Sequence, residues 1–206
     1  MKILGRVTSI NVRKVMWAAD ELGLSYERED WGLPIRDPAV PEFLALNPNA
    51  LVPVLIEDGF VLWESHPIMR YLAEQHDGGL IPRDARARAL MEQWLGWQAT
   101  ELTTSWAYAF RALGRPTPGY DDPGRIDASI AAWSKKMAIL EGQLADGRPY
   151  VNGAEFSLAD IALGVSVHRW VRTPFDRPAP LPALEAYYER LRVRPAASAY
   201  LGPETP

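Results

Sequence analysis

The sequence predicts an α/β N-terminal domain followed by an all-helical C-terminal domain. Two apolar runs on either side of Asp58-Gly59 predict a β-hairpin, because Asp-Gly favours a tight two-residue turn. The turn-rich segment Asp77–Pro82 separates this region from the rest of the chain and marks the best domain boundary. Beyond it, apolar residues recur at intervals of three and four, which is the spacing of amphipathic helices.

The segments before the hairpin alternate between strand and helix. Residues 2–6 predict a short buried strand, and an amphipathic helix follows from Val12 to Leu22. Gly23 is expected to close this helix as a left-handed cap. A second strand is predicted near Tyr26–Asp30, and a weak helix is predicted around Glu42–Leu46.

The hairpin and one more helix complete the first domain. Pro53 has no N–H for a strand ladder, so it marks the edge or the first residues of a strand, and the Val52-Pro53 bond is a candidate for a cis peptide. A cis bond would turn the backbone N–H and C=O of Val52 outward, where an extended ligand can pair with them. Ser65 followed by Pro67 predicts a helix start with Ser65 as N-cap. The resulting order of elements is thioredoxin-like.

The second domain is expected to consist of helices alone. A long helix rich in Ala, Leu and Trp is predicted over Ala85–Leu113, followed by a segment with several proline and glycine residues. Ser157 predicts the N-cap of a buried helix, and Asp160 at the third helical position completes a capping box. The remaining helices are predicted at 130–144, at 183–192 and in the tail, 196–206.

The composition excludes several classes of function. The chain has no cysteine, so any thiol chemistry must use a thiol that a ligand brings. Its net charge is −4 and no basic run is present, so we expect no nucleic-acid or membrane partner. No apolar run has the length of a signal peptide core or a membrane span, which favours a cytoplasmic location. No metal site is expected, because the three histidines lack ligand spacing: His66, His76 and His168.

A strand, Val52-Pro53, a second strand and then Glu64-Ser65 at a helix start resemble the glutathione-binding half of the cytosolic glutathione S-transferases. The resemblance covers nearly the whole chain and is strongest to bacterial theta-like members. It implies that the backbone before Pro53 pairs with the cysteinyl part of glutathione, while Glu64 and Ser65 hold its γ-glutamyl end. It also implies these domains: a glutathione-binding domain at 1–77, a linker at 78–85, and a helical domain at 86–206 that contributes the electrophile pocket.

The loop before the first helix carries the candidate catalytic residues. A free thiol has a pKa of about 8.5, and lowering it by two units requires about 2.7 kcal/mol. A donor to sulfur and a helix N-terminus can supply this stabilisation. Thr8, Ser9 and Asn11 are the available donors, and one of them must cap the helix, most simply Asn11. The theta-like resemblance implies that Ser9, four residues before Arg13, contacts the thiolate, with Asn11 as helper or N-cap and Thr8 in reserve.

Two further features bear on the substrates. Theta-like relatives carry a basic residue just before the Val-Pro step, where this chain has Leu51; we expect weaker glutathione binding or a replacement from Arg13 or Arg36. Aromatic residues on the long helix are expected to serve mainly as core or subunit contacts. Tyr108 and Phe110 are the candidates to line the electrophile pocket.

The predicted function is therefore glutathione transfer to a hydrophobic electrophile in a pocket between the domains, in a detoxification role. The resemblance implies a homodimer, with glutathione as co-substrate. Peroxidase or dehalogenase action through glutathione remains open. The alternative is a non-catalytic module that uses the same scaffold to bind ligands or partner proteins.

Overall fold

The computed structural model describes residues 1–76 and 78–202 of the 206-residue chain. The chain divides into two compact units, Met1–Ile81 and Pro82–Pro206. The first is a mixed α/β unit and the second is helical, so the predicted fold class is confirmed.

The first unit is built on a four-stranded mixed sheet in the order β2-β1-β3-β4. Strand β1 pairs in parallel with β2, while β1–β3 and β3–β4 are antiparallel. The strands are β1 (Lys2–Leu4), β2 (Glu27–Glu29), β3 (Val54–Glu57) and β4 (Phe60–Trp63).

The helices of the first unit are α1 (Ile10–Glu21), α2 (Pro41–Leu44) and α3 (Ser65–His76). Because side chains alternate across a strand, Ile3 and its partner Leu55 face one side of the sheet. Leu4 and Val54 face the other side, where they form a buried cluster with Trp31 and Phe43. The two central strands, β1 and β3, therefore contribute buried residues to both faces of the sheet.

The predicted hairpin turn and helix cap are both confirmed. Asp58 and Gly59 adopt φ values of 49° and 85°, and a pair of positive values is what a type I′ turn requires. Gly23 has a φ of 68° directly after α1, and the next residue, Leu24, donates its N–H to the carbonyl of Ala19 at 3.0 Å.

Strand β1 ends earlier than predicted because of Gly5. This residue has a φ of 149°, and a Cβ added to it would lie 2.4 Å from a methyl carbon of Val12. Only glycine fits this close approach to α1. The chain therefore leaves the sheet at Gly5 and enters the loop that carries the candidate catalytic residues.

The second unit contains α4 (Ala85–Trp97), α5 (Thr103–Ala109), α6 (Pro123–Leu144), α7 (Leu158–Arg172), α8 (Pro182–Arg192) and a short 3-10 helix (Pro195–Ala199). Helix α6 begins within the segment predicted to interrupt the helices, because Pro123 suits a first helical position and the Asp122 side chain accepts the N–H of Arg125 at 2.9 Å. The last part of the predicted tail, 203–206, lies outside the described residues.

The long helix predicted over Ala85–Leu113 contains two π-helical segments, at Gln98–Leu102 and Phe110–Gly114. Gln98 is buried, and its Nε2 donates to the hydroxyls of Ser166 at 3.0 Å and Thr103 at 3.2 Å. Such widened turns are rare and depend on tertiary partners, so periodicity alone did not predict them.

The predicted capping box at the start of α7 is confirmed. The Asp160 carboxylate accepts the N–H and hydroxyl of Ser157 at 2.9 and 3.0 Å, the N–H of Val151 at 2.9 Å and the hydroxyl of Tyr187 at 3.0 Å. Burial raises the pKa of Asp160, while the four donors act in the opposite direction. The box therefore fastens the start of α7 to α8 and to the loop before it.

Candidate functional site

The loop between β1 and α1 presents Ser9 at the helix N-cap. Its φ and ψ of −82° and 124° are typical of a cap, and its carbonyl accepts the N–H of Arg13 at 3.0 Å. The Ser9 side chain makes no capping hydrogen bond. The expectation that Asn11 caps this helix is wrong, because the buried Ile10 is already the first helical residue.

The other two candidate donors flank Ser9. Thr8 is exposed, and its hydroxyl accepts a hydrogen bond from Arg6 Nη1 at 3.3 Å. Asn11 is half-buried in the first turn of α1. All three polar side chains therefore belong to one short segment, in which Ser9 holds the position where the helix N–H groups point outward.

The Val52-Pro53 peptide is cis, in agreement with the sequence-based expectation. The paired register of β3 begins at Val54, so Val52 lies just before the sheet. A Cβ added to Gly5 would lie 3.2 Å from Val52 Cβ, which places Val52 beside the end of β1. The loop with the candidate catalytic residues and the cis peptide consequently lie at the same end of the sheet.

Asn47 organises the chain before the cis peptide, a role that the sequence analysis missed. Its buried side chain donates to the carbonyl of Leu51 at 2.8 Å and accepts the backbone and side-chain N–H groups of Asn49, both at 3.0 Å. Asparagine before proline is a turn signal that indicated this loop but not its partners. Leu51 is 61% exposed, so an apolar side chain occupies the position of the expected basic residue.

Glu64 and Ser65 connect β4 to α3. Glu64 has a φ of 73°, a conformation that is uncommon for residues other than glycine and is concentrated at functional sites. Its carbonyl accepts the N–H of Ile68 at 3.0 Å, and α3 begins at Ser65. Ser65 is therefore the first helical residue, and its prediction as N-cap is wrong, since the left-handed turn at Glu64 lets the helix start one residue earlier.

The geometry at the start of α3 suits an anionic ligand. The first N–H groups of a helix have no partner within the helix and carry a partial positive charge. Ser65 is 5% exposed, so its side chain is held in place beside these groups. A carboxylate is the ligand that this arrangement favours.

A buried contact between Lys14 and His66, which no local sequence pattern indicates, links α1 to α3. Lys14 Nζ lies 3.2 Å from His66 Nε2, and both side chains are buried. Because an ammonium group can only donate, His66 Nε2 accepts this hydrogen bond. The contact lies next to Ser65 and so joins the two helices whose first residues form the candidate site.

The two arginines proposed to replace a basic residue at Leu51 have other surroundings. Arg13 is fully buried. Arg36 lies 3.6 Å over the Trp31 ring and forms ion pairs with Glu29 at 2.6 Å and Glu42 at 2.9 Å. The charge of Arg36 is thus already opposed by two carboxylates, which favours weaker glutathione binding over a replacement.

The two candidate pocket residues differ in burial. Phe110 is a core side chain, with the Arg169 guanidinium 3.9 Å from its ring centre and the Trp106 ring at 5.7 Å. Tyr108 is half-buried, lies under the Arg125 guanidinium at 4.2 Å, and accepts the N–H of Asp122 at 3.3 Å. A pocket role stays a prediction for both.

His168 is a satisfied core residue, as expected, with Nδ1 2.6 Å from the Tyr188 hydroxyl. Across residues 1–76 and 78–202, no three acidic, histidine or cysteine side chains are grouped so that they could bind a metal ion. Within the same ranges, no helix is both long and apolar enough to cross a membrane.

The chain matches two family profiles. Residues 8–75 match the glutathione S-transferase N-terminal domain, and residues 123–190 match the glutathione S-transferase C-terminal domain. The first match contains Ser9, the cis peptide and the start of α3. The second contains the capping box of α7.

Individual relatives agree with these profiles. Glutathione S-transferase GstB of Escherichia coli K12 is 35% identical over 195 residues, which cover 93% of each chain. Glutathione S-transferase D7 of Drosophila melanogaster is 31% identical over 158 residues, 75% of this chain and 68% of the relative. A theta class glutathione S-transferase from Xanthomonas axonopodis pv. citri, crystallised with glutathione bound, superposes with a TM-score of 0.91 at 37% identity, over 97% and 96% of the two chains. The chain therefore belongs to the glutathione S-transferase family.

Proposed function

We propose that this glutathione S-transferase activates the thiol of glutathione through the Ser9 hydroxyl. The bound thiol loses its proton to solvent, and the thiolate attacks an electrophilic carbon of a hydrophobic substrate. A sulfur–carbon bond forms, and the leaving group, where there is one, departs with its electron pair. The observation that carries this proposal is that Ser9 occupies the N-cap of α1 while its side chain makes no capping hydrogen bond.

The free energy needed for activation is within reach of these groups. A charge-assisted hydrogen bond contributes about 1.5 to 3 kcal/mol, and a helix N-terminus contributes roughly 0.3 to 1 kcal/mol. Together they match the cost of about 2.7 kcal/mol for lowering a thiol pKa by two units. Asn11, in the first turn of α1, is a second donor on the same helix end.

The remaining contacts to glutathione are assigned to residues at the same end of the sheet as Ser9. We assign the cysteinyl backbone to Val52, beside Pro53, because an extended peptide pairs with backbone groups at the margin of a sheet. We assign the γ-glutamyl carboxylate to the N-terminus of α3, with Glu64 and Ser65. The exposed Leu51 provides no charge for the glycyl carboxylate, which predicts a modest affinity for glutathione.

An ultraviolet titration of the bound thiol tests this proposal. We expect a thiol pKa below 7 in the complex, against about 8.5 in free solution, and a rise of roughly one to two units in Ser9→Ala. Thr8→Ala is the matched control, since it removes a neighbouring hydroxyl and should leave the pKa in place. An unshifted pKa in the unaltered complex, or a loss caused by Thr8→Ala instead, would overturn the assignment of Ser9.

The first unit is proposed as the glutathione-binding domain, and the second as the source of the electrophile-binding side chains, with Tyr108 favoured over the buried Phe110. The protein is proposed to act in the cytoplasm as a homodimer. Sedimentation at micromolar concentration should give a mass of twice the 23.0 kDa chain, and a monomer there would contradict the dimer. A non-catalytic binding module is not favoured, because the relatives that align with 93% and 97% of this chain are both glutathione S-transferases.

A further inference from the structure

A cavity of about 650 Å³ lies in the second unit between α7, α8 and the segment that joins them. Val167, Trp170 and Val171 of α7 line one side, and Leu184 and Tyr188 of α8 line another. The volume falls within the range of about 300 to 1,000 Å³ that is typical of small-molecule sites. The mostly apolar walls favour a ligand with an apolar body.

Arg177 fastens the connecting segment to the end of α7, so the cavity is preformed. Its guanidinium donates to the carbonyls of Trp170 and Phe175, and also to those of Val171 at 3.1 Å and Thr173 at 2.9 Å. The same group stacks on the Phe175 ring at 3.9 Å. The third wall also contains Pro178 and Pro180, whose backbone φ is fixed by the ring.

The two glutamates that line the cavity differ in the number of hydrogen bonds that their carboxylates accept within the protein. Glu185 and Glu189 are one helical turn apart on α8, and both line the cavity. Glu189 accepts two hydrogen bonds from Arg192, at 2.8 and 2.9 Å. In the ranges that the structure describes, the carboxylate of Glu185 has no hydrogen bond or ion pair. Its negative charge is therefore available to a ligand.

Unlike the carboxylate of Glu185, the guanidinium of Arg177 is hydrogen-bonded within the protein. Four backbone carbonyls accept from its two terminal nitrogens, and three of them, of Trp170, Val171 and Thr173, lie at the negative end of α7. An anionic ligand would have to compete with them and would also meet the two glutamates. The charge pattern consequently favours a cation.

We propose that this cavity binds a hydrophobic amine, with its apolar body against Trp170 and Leu184 and its ammonium group against Glu185. Such a ligand combines burial of apolar surface with a charge-assisted hydrogen bond at the rim. The site is independent of the chemistry assigned to Ser9, and its occupancy is measured by binding alone.

Calorimetric titration with three matched naphthalene compounds tests the charge preference. The probes are the cation of 1-naphthylmethylamine, the neutral 1-naphthylmethanol and the anion 1-naphthaleneacetate. Each is added at pH 7 to the full chain saturated with glutathione. We expect one amine per chain, bound about fivefold more tightly than the alcohol, since exposed charge pairs contribute modestly, and the acetate bound most weakly. Equal affinities for the amine and the acetate would overturn the proposal.

Substitutions locate the binding to this cavity. Glu185→Gln should lower the affinity for the amine to that for the alcohol and leave the alcohol unchanged. Glu74→Gln, the same chemical change on the exposed surface of α3, is the control and should change neither. Val171→Trp, at a wall position that is 46% exposed, should fill the cavity and weaken all three probes without unfolding the chain. Identical affinities in Glu185→Gln and Glu74→Gln, or unaltered binding in Val171→Trp, would exclude the site.

Discussion

Two helices of this protein start with a serine at the N-cap, and the two serines are used differently. Ser157 at the start of α7 is buried and hydrogen-bonded to Asp160 through both its N–H and its hydroxyl. Ser9 at the start of α1 is half-buried and makes no side-chain capping bond. The third helical residue is Asp160 in α7 and the buried Val12 in α1. A capping box needs an acidic or amide partner at this position, so Val12 leaves Ser9 without one.

The comparison separates a structural helix start from one suited to a ligand. At α7 the carboxylate of Asp160 accepts the N–H of the N-cap residue Ser157 and the N–H of Val151 in the loop before the helix. At α1 no side chain reaches back from Val12, and the helix N-terminus keeps its affinity for an anion. Under the proposed function, the anion at the start of α1 is the thiolate of glutathione.

The largest expected effect is that of Asp160→Ala on stability. The change removes the acceptor for Val151, Ser157 and Tyr187, and leaves these donors buried. We expect a loss of about 3 to 5 kcal/mol in the free energy of unfolding, measured by urea denaturation. If the variant is too unstable to purify, Asp160→Asn, which keeps two acceptor positions at one oxygen, should show a smaller loss. A loss below 1 kcal/mol in Asp160→Ala would contradict the structural role of this helix start.

Ser9→Ala is expected to reduce activity instead of stability. Removal of a hydrogen bond to a thiolate should lower kcat/KM for a model electrophile about 10- to 100-fold. Because the hydroxyl makes no capping bond, the free energy of unfolding should change by less than about 0.5 kcal/mol. The two quantities are measured on the same preparation by steady-state kinetics and urea denaturation. A stability loss above 1 kcal/mol with full activity would reverse the contrast with Ser157.

Ser157→Ala, at the N-cap of α7, is expected to reduce stability without changing the thiol pKa. The substitution removes one hydrogen bond to Asp160 but retains the backbone N–H that donates to the same carboxylate. We expect a loss of about 1 kcal/mol in the free energy of unfolding, in the usual range for an N-cap. The thiol pKa of bound glutathione should stay where it is in the unaltered protein. A shifted thiol pKa would show that this helix start also affects the catalytic one.

The smallest effect concerns Asp146, an exposed carboxylate in the loop that leads toward α7. Arg148 hydrogen-bonds to it and lowers its pKa to about 2. Because the pKa is lower in the folded state, the stabilisation is present above the unfolded value of 3.8 and is lost as the pH falls through about 2. Asp146→Asn should therefore be slightly less stable at pH 7, and the difference should shrink as the pH falls toward about 2, as followed by thermal unfolding. A difference of the same size at pH 7 and pH 2 would show that charge is not its cause.

Local signals accounted for the parts of the fold that were predicted correctly. Asp58-Gly59 specifies its turn because few residues tolerate two successive positive φ values. Ser157 and Asp160 form their box within one helical turn, so their spacing in the sequence is enough. The same locality indicated the loop at Ser9 and the segment at Pro53 as candidate parts of a site.

The errors at the helix starts have a different cause. Asn11 and Ser65 were both placed at N-caps because their residue types favour that position. In the structure, α1 begins two residues earlier than predicted, at the buried Ile10, and the left-handed conformation of Glu64 lets α3 begin one residue earlier than predicted. Propensity thus indicated each boundary to within two residues, while packing and the backbone turn fixed the exact residue.

The sequence by itself determined the order of elements, the fold class and the segments proposed to form the glutathione site, because these depend on periodicity, turn residues and short motifs. Only the tertiary structure decided which side chains are free to act. Lys14 and His66 are 52 positions apart and meet because α1 packs on α3. Arg36 is opposed by Glu29 and Glu42 because the loop between β2 and α2 brings the three side chains together. The spacing of residues along the chain predicts neither of these contacts.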